Sequence, residues 1–180
     1  DGRHAYNSVD ASLWYVWAVQ MLLQVDPQRM GFVKEHCWPT IKEILRAYAG
    51  GQVPFVRADE EGFLDVGDEQ TQLTWMDAVV DGRPVTPRHG QPVEISALWY
   101  NALAFADHLA RRFDEPHWQD SVDQRDRMRA VFVHRHWIKD YRGDYLADVW
   151  RDGERDFRVR PNQLFAVSLP FPILEEDNYA

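Results

Sequence analysis

One stretch decides the fold class: Val93-Glu94-Ile95-Ser96-Ala97-Leu98-Trp99-Tyr100-Asn101-Ala102-Leu103-Ala104-Phe105-Ala106, which continues to Phe113. Its apolar side chains recur at the spacing of one broad helical face, and they are Ile95, Leu98, Trp99, Ala102, Phe105, Ala106 and Leu109. We therefore predict a helix from Val93 to Phe113.

Similar apolar periodicity lies on both sides of this stretch. It predicts a buried helix over about Ser8 to Gln24, with Ser8 as its cap, because the apolar character runs nearly all round. A second helix is predicted over about Gln28 to Ala49, with Pro39 as a potential break. Further helices are predicted over about 118–137 and, after Pro161-Asn162-Gln163, over 164–169.

The segments between these helices alternate between short and long connections. Residues 52–66 predict one short β-hairpin, residues 67–90 a long Gly- and Pro-containing connection, and residues 141–158 turns and short strands. Alternation of short and long connections is what a stack of helical hairpins produces. We therefore predict an all-α fold in which the long loops carry the ligand site.

The composition of the 180-residue chain bounds its function. Apolar residues make up 45% and charged residues 27%, which is typical of one globular domain or a piece of one. The net charge of −9 argues against a nucleic-acid partner and against an anionic membrane surface, so a neutral ligand suits it better. A single cysteine, Cys37, excludes an internal disulfide and a multi-cysteine metal site.

The residues that could carry chemistry cluster in the long connection and just after it. Asp77 follows Trp75 closely, and burial of a carboxyl against an aromatic ring favours the protonated form that a general acid needs. Arg88 can donate a fork of hydrogen bonds to sugar hydroxyls, and Glu94 supplies a second carboxylate. Two carboxylates flanking a sugar linkage are the minimum for glycoside hydrolysis. The motif His134-Arg135-His136 lies in a predicted helix, where residues two apart point in different directions, so we predict no metal site.

Each of these residues also has a purely structural interpretation. Asp77 could be a turn residue, Arg88 and Glu94 could pair with each other, and Asp10 could sit in a first helical turn that favours acidic residues. The tryptophans at helical spacing could belong to the core, namely Trp14, Trp17, Trp99 and Trp137. From these residues alone the function of the helical domain stays open.

Several blocks, in the same order, resemble motifs of bacterial and archaeal glycogen debranching enzymes of the amylo-α-1,6-glucosidase type. The blocks are Tyr6-Asn7-Ser8-Val9-Asp10-Ala11-Ser12-Leu13-Trp14-Tyr15, Leu73-Thr74-Trp75-Met76-Asp77-Ala78, Val85-Thr86-Pro87-Arg88-His89-Gly90-Gln91-Pro92-Val93-Glu94-Ile95, Ala97-Leu98-Trp99-Tyr100-Asn101-Ala102-Leu103 and Arg160-Pro161-Asn162-Gln163-Leu164-Phe165-Ala166-Val167-Ser168. The similarity covers essentially the whole chain.

The resemblance implies an (α/α)6 toroid, a ring of helical hairpins, of which residues 1–180 would be a partial catalytic domain truncated at both ends. The implied reaction is hydrolysis, with inversion, of the α-1,6-linked glucose at a trimmed glycogen branch. Asp77 matches the general acid. The implied substrate-binding residues are Asp10, Trp14, Trp75, Arg88, Glu94, Asn162 and Gln163.

The resemblance also implies what accompanies the reaction. The partner would be an α-glucan such as glycogen or limit dextrin, with no cofactor and no metal, in the cytoplasm. The general base would lie downstream of residue 180, so we expect this chain alone to be inactive and its uncovered apolar faces to self-associate. Two alternatives stay open: another toroid glycosidase, acting on trehalose or mannosyl substrates, and a non-catalytic α-glucan-binding helical domain.

Overall fold

A computed structural model describes residues 8–115, 119–141 and 143–174. Its helices are α1 (Asp10–Val25), α2 (Met30–Phe32), α3 (Trp38–Ala49), α4 (Val93–Phe113), α5 (Gln119–His136) and α6 (Phe165–Ser168). A 3-10 turn at Pro27–Arg29 and a π turn at Val33–Cys37 connect α1 to α3, and a 3-10 turn at Pro161–Leu164 leads into α6. Tyr6 and Asn7 of the first motif, and the predicted helix start at Trp118, lie outside the described residues.

Helix α4 is the centre of the fold, and its bounds match the prediction. It packs against α1, α3, α5 and α6. Its broad apolar face is buried, and Trp99 at its middle is completely inaccessible. The Trp99 indole donates to the Gly62 carbonyl at 3.0 Å, which ties the helix to the first hairpin. The helix ends at Asp114, whose left-handed backbone (φ 59°) terminates it.

Helix α1 begins two residues later than predicted, although Ser8 still stabilises its start. The Ser8 hydroxyl accepts from the Ala11 amide at 3.3 Å and donates to Asp10 Oδ1 at 2.7 Å. Deeper in the helix, Gln20 Oε1 accepts from the Asn101 amide at 2.9 Å. This buried hydrogen bond joins α1 to α4 and fixes the register of the two helices.

Pro39 does not break the second helical segment. The chain runs from α2 through the π turn directly into α3, and Pro39 lies in the first turn of α3. Proline is tolerated there because the amide it lacks needs no partner within the helix. The widened turn before it, which buries Val33 and Cys37, is what the sequence periodicity did not reveal.

The strands are short and antiparallel. The predicted hairpin in residues 52–66 is confirmed as β1 (Val56–Ala58) paired with β2 (Leu64–Val66). The other strands are β3 (Val79–Val80), β4 (Arg83–Pro84), β5 (Gln91–Pro92), β6 (Trp137–Asp140), β7 (Gly143–Leu146), β8 (Val149–Arg151) and β9 (Glu154–Arg155). Strands β3 and β4 pair, β6 and β7 pair, and β5-β8-β9 form one small sheet.

These extra hairpins correct the all-α prediction: the chain is about half helical with small antiparallel hairpins. The physical reason lies in the turns Asp81-Gly82 and Asp152-Gly153, where both residues have positive φ. Asp-Gly is favoured in two-residue hairpin turns of this handedness. The architecture is compatible with part of a helical assembly. In the described part of the chain, no helix is long and apolar enough to cross a membrane.

Arg135 fastens the end of α5 to the loops around the first hairpin. Its guanidinium carbon lies 4.4 Å from the ring centroids of both Phe63 and Trp150. It also pairs with Asp59 at 2.5 Å and with Glu61 at 2.8 Å. Arg135 therefore stabilises the packing of α5 against the first hairpin and β8. Its neighbours in the motif meet different surroundings, with His134 exposed and His136 buried.

His136 is a buried titratable group with poor hydrogen bonding. Its Nδ1 lies 3.4 Å from the Ala147 carbonyl, and its Nε2 has no hydrogen-bond partner among the described residues. The ring stacks on Phe132 with centroids 4.8 Å apart. Burial lowers the pKa of His136 to about 4, although the hydrogen bond to Ala147 opposes this. The imidazole is therefore neutral at pH 7.

We expect the free energy of unfolding to fall as the pH drops from about 6.5 towards 4. In this window the unfolded chain binds a proton at His136 that the folded chain does not, so acid favours unfolding. The full loss is about 3 kcal/mol, with a slope near 1.4 kcal/mol per pH unit. Urea unfolding at pH 7, 6 and 5 measures it. His136→Gln is the control, since its amide can still donate to Ala147 without titrating; equal pH slopes in both proteins would contradict the assignment.

Candidate active site

A cavity of about 670 Å³ opens between α1, α4 and the segment around α6. Its lining is mostly apolar, with a few polar groups, which is the usual composition of a small-molecule site. The lining residues are Asp10, Trp14, Trp75, Glu94, Leu98, Pro161, Asn162, Leu164, Phe165, Val167 and Ser168.

Five of the predicted site residues meet in this cavity, although they come from four separate parts of the sequence. Asp10 and Trp14 lie on successive turns of α1, and Glu94 lies in the first turn of α4. Trp75 lies in the long connection and Asn162 in the 3-10 turn before α6. The rings of Trp14 and Phe165 pack edge-on, with their centroids 5.4 Å apart. Trp75 is 54% exposed.

Arg88 lies behind the cavity lining, fully buried between two carboxylates. It forms a bidentate pair with Glu94, in which Nη2 donates to Oε2 at 2.6 Å and Nη1 donates to Oε1. It forms a second bidentate pair with Asp148, in which Nε donates to Oδ2 at 2.7 Å and Nη2 donates to Oδ1 at 2.9 Å. Arg88 Nη1 also donates to Thr74 Oγ1 at 3.3 Å. The pairing of Arg88 with Glu94, one of the structural interpretations of the sequence, is therefore observed.

Burial and pairing act in opposite directions on these charges. Burial raises the pKa of the Glu94 carboxyl, and the hydrogen bonds and charge of Arg88 work against that rise. Burial alone would lower the pKa of Arg88, but the hydrogen bonds and charges of Glu94 and Asp148 outweigh it and raise the pKa. Because Arg88 keeps its proton, the Glu94 carboxylate faces the cavity with a fixed cation behind it.

Asn162 connects this buried network to the aromatic wall. Its Nδ2 donates to Asp148 Oδ1 at 2.9 Å, and its Oδ1 accepts from Trp75 Nε1 at 3.1 Å. The next residue, Gln163, turns away from the cavity lining, because its Oε1 accepts from the Leu146 amide at 3.0 Å. Gln163 thus holds β7 against the 3-10 turn.

Asp77 is exposed and does not line the cavity. The burial against an aromatic ring that the sequence suggested is therefore not present in this chain. The physical reason is that the segment around Asp77 is a surface loop that leads into the exposed strand β3. Its role as general acid stays a prediction.

Two members of the buried network, Asp148 and Arg160, were not singled out as site residues from the sequence. Asp148 lies just before β8 with a completely inaccessible side chain, and Arg160 Nη1 donates to its Oδ2. Arg160 opens one of the motif blocks, which was a usable signal. Asp148 lies between the short strands β7 and β8, where the sequence has no periodic pattern or motif that would indicate a site residue. Among the described residues, no cluster of three His, Cys, Asp or Glu could hold a metal ion.

The cavity sets two indole rings beside two carboxylates and an amide, so fold and site define a helical domain with a small-molecule site. Comparison with protein families is more specific: residues 1–180 match the family model amylo-alpha-1,6-glucosidase. The chain belongs to this family of glycoside hydrolases, the C-terminal domain of glycogen debranching enzymes. A comparison with curated proteins finds no match.

Proposed function

We propose that this chain forms the sugar-binding part of a site that hydrolyses the α-1,6-linked glucose at a trimmed branch of glycogen, with inversion at the anomeric carbon. The observation that supports it most is the meeting of Asp10, Glu94, Asn162, Trp14 and Trp75 around one cavity, in a chain of the amylo-alpha-1,6-glucosidase family. The substrate class is an uncharged α-glucan, which fits the net charge of −9.

The cavity can recognise both faces of a glucose unit. The indole rings offer apolar surface to the C–H face of the ring, as aromatic side chains do when one side of a ligand is apolar. Glu94 and Asp10 offer acceptors for the hydroxyl groups. Because Arg88 occupies one direction at each Glu94 oxygen, only the remaining lone pairs can accept from the sugar. Arg88 thereby orients Glu94 rather than touching substrate.

In this proposal Asp77 is the general acid that protonates the leaving glycosidic oxygen. It follows Trp75 by two residues, and Trp75 lines the cavity. The second carboxylate of an inverting enzyme stands about 6.5–9.5 Å from the acid, with a water between them. We propose that this general base lies outside residues 1–180. We also propose that the helices of this chain form part of an (α/α)6 toroid. Glu94 is the strongest candidate for the base inside the chain.

The direct test is release of free glucose from glycogen that phosphorylase has trimmed. The assay uses this chain together with any sequence that its gene encodes on either side. Trehalose and an α-mannoside, at equal concentration, serve as matched substrates for the other toroid glycosidases. Glucose from trimmed glycogen alone supports the proposal, whereas hydrolysis of trehalose or the mannoside in its place contradicts the substrate assignment.

A second candidate function is a non-catalytic α-glucan-binding domain. The observation that favours it is the exposure of Asp77, together with the bidentate pairing of Glu94 with Arg88. A module that only binds would retain limit dextrin on an affinity gel without releasing glucose. Under this alternative, substitution of Asp77 would leave the retention unchanged.

We expect Trp75→Ala to weaken binding of a linear malto-oligosaccharide about tenfold, because the exposed face of its ring is lost as a stacking surface. Isothermal titration calorimetry measures the dissociation constant. Trp137→Ala is the matched control, since the Trp137 indole also donates to a side-chain oxygen, Asp144 Oδ2 at 3.3 Å, but lies outside the cavity lining. An equal loss in both variants would contradict the role of Trp75.

We also propose that the isolated 180-residue chain self-associates. Large apolar side chains around the cavity are exposed, with Trp75 at 54%, Leu164 at 60% and Val167 at 39%. Such a patch favours contact with another apolar surface. Light scattering coupled to size-exclusion chromatography should give a mass above 21.2 kDa that rises with concentration. A constant monomer mass across a hundredfold range of concentration would contradict this.

A further inference from the structure

We infer that Asp148 is a positioning residue that fixes the Trp75 indole in the cavity wall by setting the orientation of the Asn162 amide. The link from Asp148 through Asn162 to Trp75 follows from the hydrogen bonds alone. The effect of this link on substrate binding rests on the proposed function. Neither the sequence motifs nor the family match assigns a role to Asp148.

The Asp148 side chain is completely buried and saturated with donors. Oδ2 accepts from Arg88 Nε at 2.7 Å and from Arg160 Nη1, while Oδ1 accepts from Arg88 Nη2 at 2.9 Å and from Asn162 Nδ2 at 2.9 Å. A carboxylate between two guanidinium groups acts as an acceptor only. Whatever Asn162 presents to it must therefore be a donor.

The backbone on both sides of Asp148 is fixed as well. The Asp148 carbonyl accepts from the Val93 amide at 3.0 Å, at the first residue of α4, and its own amide donates to the Asp156 carbonyl at 3.0 Å. The next residue, Val149, pairs with Pro92 across the β5-β8 ladder. The carboxylate is therefore held in register with the helix that carries Glu94.

The orientation of Asn162 follows from this arrangement. Since Asp148 accepts only, Asn162 turns Nδ2 towards it and leaves Oδ1 on the opposite side. The Trp75 indole can only donate, and its Nε1 meets Oδ1 at 3.1 Å. Turning the amide over would set donor against donor at Trp75 and acceptor against acceptor at Asp148. One buried carboxylate thus fixes the edge of an indole that is otherwise 54% exposed.

The test is the indole N–H signal of Trp75 in a nitrogen–proton correlation spectrum, assigned with Trp75→Phe. In Asp148→Asn and in Asn162→Ala this signal should move towards the position of a free indole. The signal of Trp99, which donates to Gly62, should stay in place in both variants. Asp107→Asn is the matched control, because Asp107 also accepts from two arginines, Arg111 and Arg125, but lies outside the cavity lining. An unmoved Trp75 signal in Asp148→Asn would overturn the inference.

If Asp148→Asn fails to fold, the orientation of the Asn162 amide can still be tested in the unmodified chain. Nuclear Overhauser contacts should join the Asn162 Nδ2 protons to the Arg88 Nη2 protons, because both nitrogens donate to Asp148 Oδ1. Strong contacts from Nδ2 to the Trp75 indole proton in their place would show the reverse amide orientation and overturn the inference.

In the glucose-release assay, Asn162→Ala should raise KM about tenfold and change kcat less than threefold. The spectra need no substrate, so failure of the proposed reaction leaves this link separately testable.

Discussion

Replacing Arg88 with Leu should lower the free energy of unfolding by about 3–5 kcal/mol, the range for removing one partner of a buried ion pair. Glu94 and Asp148 would each lose a bidentate partner while remaining buried, with side chains 1% and 0% exposed. Glu94 would then lose its ion pair beside Asp148, which keeps the pair with Arg160, and the two carboxylates would repel at low dielectric. The loss is large because it comes from stranded charge, not from the contact area of one side chain.

Urea unfolding, followed by circular dichroism, measures this effect. Arg125→Leu is the matched control, since Arg125 also pairs with two aspartates, Asp107 and Asp126, but with 19% of its side chain exposed. Its loss should stay below about 1 kcal/mol. Arg88→Lys should fall between the two, because an ammonium keeps the charge but not the planar fork. If Arg88→Leu costs no more than Arg125→Leu, the buried network does not stabilise the fold as described.

Replacing Asp77 with Asn should reduce the rate of glucose release from trimmed glycogen by about 100-fold or more, the usual contribution of a general acid. Asparagine keeps the size of the side chain but has no proton of suitable acidity to give to the leaving oxygen. The substitution should leave stability unchanged, because Asp77 is exposed. The assay measures initial rates at saturating substrate, with an unfolding curve for each protein.

Asp81→Asn is the matched control for Asp77, since it is an exposed aspartate in the neighbouring turn and outside the cavity lining. It should release glucose at the rate of the unmodified protein. Equal rates for Asp77→Asn and Asp81→Asn would make Asp77 structural, and the acid would then be sought at Glu94 or Asp10. This outcome would leave the substrate assignment intact.

Local sequence patterns predicted the helices well, because one face of each helix is buried against its neighbours. Helix α4 agrees at both ends with the prediction, and α1 and α5 begin within two residues of it. The turns and short strands predicted over 141–158 are confirmed as β7, β8 and β9, whereas the pair β3 and β4 in the connection 67–90 was not predicted, since two-residue strands have too little periodicity to recognise. The widened turn before Pro39 depends on packing around Val33 and Cys37, which no local pattern encodes.

The residues that line the cavity were predictable from the sequence, but the buried residues that hold them in place were not. Asp10, Trp75, Glu94 and Asn162 stand in motif blocks, and the fold brings them to one cavity. Asp148 was missed because its importance comes from three side chains that donate to it, Arg88, Arg160 and Asn162, which lie 60, 12 and 14 residues away along the chain. Such a buried ion network is a tertiary feature, and burial cannot be deduced from an isolated aspartate among strands. The exposure of Asp77 also depends on tertiary packing, so the local sequence could not predict it.

Inverting hydrolysis of α-1,6-linked glucose leaves a signature in the anomeric form of the first glucose released. Trimmed glycogen is incubated with this chain and any sequence encoded on either side of it, and proton NMR follows the anomeric signals before mutarotation equilibrates them. We predict that β-glucose appears first, because water attacks the face opposite to the departing branch oxygen. If α-glucose appears first, the reaction is not inverting, and if no glucose is released, the proposed hydrolysis is wrong.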